Sequence, residues 1–279
     1  MIDQDLFQQY LNEYREDFVP RFKFASGYIW KAVKTFQDNF NLEAENFREM
    51  LEKSLSDTGI LMTLRSNLNN SEPKNSILKL AEVAPKETKE FFAYLYDEKI
   101  LITKRLTDAA KKIYDLNQEM YNQGKTTIKK NYQTSYILSL YLCFRYPEKY
   151  YLYQESMFRR AVWFLKASYK HEYNKTANNF LNCYLFMNEL SKNLKQDEEL
   201  ITKLNSCLKD VHYPDQNLKI LTSDFTYFLK MRSRSKERLK YRSKFKKKKQ
   251  KDRTDNKDTT NNSNAVKNEA KSLPDENKS

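Results

Sequence analysis

Arg159, Trp163, Lys166 and Lys170 follow one another at steps of four, three and four, with Arg160 adjoining. On a helix this spacing sets them along one face. Cations there can hold phosphates while the indole stacks on a base, which is the chemistry of nucleic-acid binding. The same residues also fit a solvated face, on which long basic side chains lie over a partly exposed tryptophan. Just before them the stretch RYPEKYYLYQESM, Arg145 to Met157, gathers Tyr146, Tyr150, Tyr151 and Tyr153, with Tyr141 upstream. A tyrosine hydroxyl placed inside must find a hydrogen-bond partner. The stretch is therefore either a wall of half-buried rings or a surface that touches something, and as a surface its rings join the candidate nucleic-acid site by stacking.

Catalytic chemistry is harder to assemble. His171 and His212 have no cysteine or second histidine at ligand spacing, so no zinc site is expected. The letters NQGKTT at Asn122 to Thr127 end like a phosphate loop, yet the position of the first glycine holds Glu119, and the residues upstream read as helix rather than strand. No nucleophile elbow accompanies the serines and aspartates. Cys143, Cys183 and Cys207 stand singly in apolar helical patterns, as reduced packing residues do. The residues predict a protein that is not an enzyme, with no catalytic site, metal or cofactor.

The formal charge of +13 is unevenly spread. Met231 to Arg253 holds thirteen Lys and Arg against two acids, a net +11, and the residues after it have four bases against five acids. The first 230 residues keep only +3. Arg232, Arg234, Arg238, Lys244, Lys246, Lys247, Lys248 and Lys249 can neutralise phosphates without reading bases. The alternative for this segment is a solvated linker.

The elements that must carry these residues are helical. Three glycines, six prolines and 14% aromatics in 279 residues are the usage of a helical chain with few tight turns. Phe7, Tyr10, Leu11, Tyr14 and Phe18 predict an opening helix that stops at Pro20. Further helices are expected at Ile29–Phe40, Phe47–Leu55, after Pro85 and over Ile100–Leu116. Tyr136–Phe144 is apolar on nearly all sides, as in a helix surrounded by others. Ser156 is the expected cap of a helix with the stripe Phe158, Ala161, Val162, Leu165 and Tyr169. Helices around Phe180–Leu194 and Glu198–Leu208, and one opening at TSDFTYFLK, complete the set, and YYLY reads as a short extended segment. The expected fold is mainly α: a multi-helix body with a disordered basic C-terminal tail. Its divisions are an N-terminal helical region (1–117), a polar connection (118–131), an aromatic-rich helical region (132–230) and the tail (231–279). The first residues carry acids where a leader carries bases, and no run reaches the ~18 apolar residues of a membrane span. No membrane contact and a cytoplasmic location are expected.

Five pieces, YIWKAVKTFQDNFNLEAENFREMLEKSL, TGILMTLRSN, EFFAYLYDE, YILSLYLCFRYPEKYYLYQESMF and LKILTSDFTYFL, resemble in that order the N-terminal region of McrB-like AAA+ proteins of bacterial restriction systems. The similarity covers roughly Tyr28 to Leu229. It implies a module that recognises DNA, including modified or unpaired bases, or another target, beside a nucleotide-hydrolysing motor and a separate nuclease. Here no phosphate loop follows Leu229, so the motor or nuclease is expected on another chain. The alternatives are a protein-docking or assembly module or a truncated relic of such a system, with nonspecific nucleic-acid binding through the tail; a third reading is an RNA-associated protein that binds only by that tail.

Overall fold

The structure is a computed structural model that describes residues 1–58, 72–172 and 176–232. It is mainly helical: eleven α-helices and no strand occur among the described residues. The segment after Arg232, expected as a disordered tail, lies outside them, as does nearly all of TGILMTLRSN. Met1–Lys230 forms one compact unit.

Helix α1 (Gln4–Arg21) starts where the Asp3 carboxylate accepts the Leu6 amide, 3.1 Å away, and it buries Phe7, Tyr10, Leu11, Tyr14 and Phe18. It does not stop at Pro20. Both Pro20 and Glu16, whose carbonyl a proline at that position cannot bond, are exposed residues, where solvent can replace the lost bond, and the helix continues. It then widens into a π-helical turn, Phe22–Ser26. A Cβ on Gly27 would sit 2.6 Å from the Phe22 carbonyl oxygen, so the exit from this turn needs a residue without one.

Helices α2 (Tyr28–Asn39), α3 (Phe47–Ser54), α4 (Glu72–Val83), α5 (Pro85–Tyr96) and α6 (Ile102–Asn122) follow. Successive members pack on one another from α3 to α6, and α2 packs on α3. The sequence reading missed α4, although Ile77, Leu78, Leu80 and Ala81 form its buried stripe. Helix α7 (Ser135–Arg145) runs through the interior with every residue from Tyr136 to Phe144 buried, which is why it is apolar all round. Then come α8 (Glu155–Phe164), α9 (Thr176–Leu194), α10 (Glu198–Cys207) and α11, helical from 219 to the last described residue, 232.

One hydrophobic cluster extends from Ile2 to Leu229. Its first and last helices meet edge to face, with Phe7 and Phe225 ring centres 5.9 Å apart and Tyr14 and Phe225 5.2 Å apart. Between them α6 continues to Asn122, five residues into the segment 118–131. Gly124 closes it at φ 70°, donating to the Tyr121 carbonyl, while the Lys125 amide reaches back to Met120 at 2.9 Å. This is a helix C-cap that uses glycine for its left-handed backbone. The letters GKTT therefore sit at the end of a helix.

Candidate nucleic-acid interface

Helix α8 is short. Gln154, not Ser156, is its N-cap residue, and Met157, Phe158, Ala161 and Phe164 turn inward. Arg159 and Trp163, one turn apart, face outward; Trp163 is 68% exposed, its edge packed against Phe164 with ring centres 4.9 Å apart. The expected continuous face through Lys170 is corrected. The helix ends at Phe164, Lys166 takes a left-handed φ of 42°, and the chain runs on as a non-helical segment. Hydrogen bonds to α9 hold that segment: the Tyr169 hydroxyl donates to Glu189 at 2.7 Å and the Asn182 amide to the Lys170 carbonyl at 3.0 Å. Its other side carries the chain start, where the Asp3 amide donates to the Leu165 carbonyl (3.0 Å) and Ser168 to that of Met1 (3.2 Å). Lys166 and Lys170 are exposed on this pinned segment and Arg160 is half-buried on α8.

Electrostatically the patch is part-compensated. Glu155 lies 3.7 Å from Arg159 and 3.2 Å from His171 Nε2. Lys166 and Lys170 have no hydrogen-bonded or ion-paired side chain in the described structure. They are the cations free to meet a phosphate.

The tyrosines divide differently. Tyr150, Tyr151 and Tyr153 are buried, so the expectation that their rings stack on bases is corrected: no ring face is open. They line the interior between α7, α9 and α11, where a non-helical backbone must find its own partners. Side chains supply them. The Tyr151 amide donates to the Tyr184 hydroxyl at 2.9 Å, the Leu152 amide to Ser223 Oγ at 3.1 Å and the Tyr153 amide to Ser139 Oγ at 3.1 Å. The phenol groups are used as well: Tyr150 accepts from Arg105 Nη2 at 2.6 Å, and Tyr151 donates to Asn188 at 2.9 Å while accepting from Lys219 at 2.7 Å. Burial pushes the Tyr151 hydroxyl up to about 12, so it stays protonated at neutral pH. Tyr146 alone of the four is half-buried, its hydroxyl 3.2 Å from the Tyr96 carbonyl. The stretch is thus a wall, and Tyr146 is its outer edge.

Of the tail residues, Arg232 falls at the end of α11; Arg234, Arg238, Lys244, Lys246, Lys247, Lys248 and Lys249 lie outside the described residues. His171 hydrogen-bonds with Asn179, His212 lies edge-on to Phe22, and no group of three metal-ligating side chains occurs among the described residues. Cys143 and Cys183 are buried, and burial pushes both thiols up, which suits packing rather than nucleophilic attack. No described helix is long and apolar enough to cross a membrane. Sequence reasoning passed over Arg145, whose only signal is an arginine set between aromatic residues. No protein-family model matches the chain, and no curated protein and no solved structure matches it either.

Proposed function

We propose that this chain is a non-catalytic recognition module that binds DNA in the cytoplasm and acts beside a separate AAA+ motor or nuclease, as the resemblance to McrB-like proteins implies. One observation carries the reading: an indole 68% exposed, with exposed Arg159 one turn before it and exposed Lys166 just after it, its amide bonded to the Trp163 carbonyl. A large apolar ring left in water beside an unpaired lysine is the arrangement that stacks on a base and neutralises its phosphate. The ring is suited to an unpaired or modified base, whose face is open. The basic segment after Met231 adds sequence-blind attraction.

The test compares duplex and single-stranded DNA, plain and modified, on the full chain and on a chain ending at Lys230. Base preference should survive loss of the tail and vanish with Trp163→Ala. A tail-less protein that binds no nucleic acid at low salt would defeat the reading. A second reading then takes over, in which this side docks a protein. Leu181 and Leu185 favour it, exposed one turn apart on α9 at 42% and 59%.

A further inference from the structure

Arg145 ends α7 half-buried, and its guanidinium is held by rings rather than by an acid: the central carbon lies 5.4 Å from the Tyr146 ring centre and 6.0 Å from that of Phe40. Every other described arginine side chain has a hydrogen bond or charged partner, whereas the Arg145 guanidinium makes neither a hydrogen bond nor an ion pair. Its Nε–H is buried with no partner. A buried polar group left unpaired costs stability and calls for an explanation. The backbone beneath is fixed, because the Gln37 amide donates to the carbonyls of both Phe144 and Arg145. A second cation is close, with Lys149 Nζ 5.4 Å from the same Tyr146 ring. Lys149 is itself ion-paired with Glu98, whose other carboxylate oxygen accepts from the Tyr150 hydroxyl at 3.3 Å.

We infer that Arg145, braced by Phe40 and Tyr146, is an oxyanion subsite that takes a phosphate group. A planar guanidinium locked by aromatic faces keeps its fork of donors in one orientation, and such a fork matches phosphate oxygens two at a time. The half-buried Tyr146 ring borders the same spot and suits a phosphate carried by a nucleotide. The residues differ from those around Trp163, so the subsite does not rest on the proposed reading of that patch.

The experiment follows the Arg145 Nε–Hε signal in the nitrogen-15 spectrum of the full chain, assigned by through-bond correlation to the Arg145 backbone in the wild type. Inorganic phosphate is titrated against chloride at matched ionic strength, and a short thymidine oligonucleotide forms a second arm. A saturable shift with phosphate and not with chloride is expected. In Arg145→Lys, phosphate binding read from the neighbouring backbone amides should be about tenfold weaker or more, as loss of a charge-assisted bond implies. A shift in both arms assigns the phosphate to a nucleic-acid backbone, and a shift with inorganic phosphate alone assigns it to a free phosphate compound. A signal that neither probe moves, or that chloride moves equally, overturns the inference. The wild-type titration decides this even where the lysine variant fails to fold.

Discussion

Arg21 grips both carboxylate oxygens of Asp224, Nη2 2.9 Å from Oδ1 and Nε 3.2 Å from Oδ2, and so ties the end of α1 to α11 across 203 residues of sequence. The Tyr14 hydroxyl donates to the same carboxylate at 2.8 Å. Asp224 is fully buried, and these donors supply its carboxylate with hydrogen bonds that water cannot.

Removing one partner of a buried, hydrogen-bonded charge pair is costly because the other is left uncompensated. Arg21→Met should lower stability by about 3–5 kcal/mol in urea unfolding, while Arg21→Met with Asp224→Leu should recover most of that loss. Tyr14→Phe should cost about 1 kcal/mol. Equal losses for the single and double variants would show that packing, not charge, dominates here.

Asp215 predicts a dependence on pH. It is buried, and its carboxylate accepts the amides of Ile220 at 3.1 Å and Leu221 at 2.8 Å at the start of α11. Burial raises it from 3.8 to about 7, against the pull of those two amides. A carboxyl raised on folding takes up a proton between its unfolded and folded values. Its contribution to stability should therefore be greatest below about pH 4, fall as pH rises to about 7 and stay level above, by on the order of 4 kcal/mol in all. Asp215→Asn should lose this slope in urea midpoints measured from pH 4 to 8.

The two glycines at helix ends should respond differently to alanine. At Gly124 nothing lies within 4 Å of an added Cβ, so Gly124→Ala should cost only the left-handed backbone, about 1–2 kcal/mol. At Gly27 the added atom would meet the Phe22 carbonyl at 2.6 Å and the Phe22 ring at 2.9 Å. Gly27→Ala must shift the π-helical turn, and it should lower the thermal midpoint more than Gly124→Ala does.

The two tryptophans should separate stability from binding. Trp30 is fully buried, and Trp30→Ala should cost about 3–5 kcal/mol. Trp163→Ala should cost about 1 kcal/mol, from the lost edge contact with Phe164. Nucleic-acid affinity at low salt should fall with the second change, by about 1–3 kcal/mol for a ring engaging one base. A Trp163 variant that binds as well as wild type removes the ring from the site.

Removal of residues 231–279 should act on the salt dependence. With about six phosphates engaged, log K falls against log salt with a slope near −5, and the shortened chain should show a flatter line. An unchanged slope would place the phosphate contacts on the helical unit alone.

Local chemistry alone determined much of this protein. Side-chain spacing located α2, α3 and α7, Pro85 marked the first turn of α5, and the even apolar dress of Tyr136–Phe144 announced a helix with neighbours on every side, because burial acts on each residue through its own hydrophobicity. Glu119 and the helical pattern before Gly124 were enough to tell a helix end from a phosphate loop. The candidate site was less legible. Steps of four, three and four make a face only while the helix lasts, and α8 stops at Phe164 because the chain start and α9 supply the next segment with hydrogen bonds from residues distant in sequence. The tyrosines left two readings open, since a phenol is at home inside or out. Partners far along the chain, among them Arg105, Tyr184, Asn188 and Lys219, put Tyr150 and Tyr151 inside, and only tertiary structure brings such donors and acceptors together.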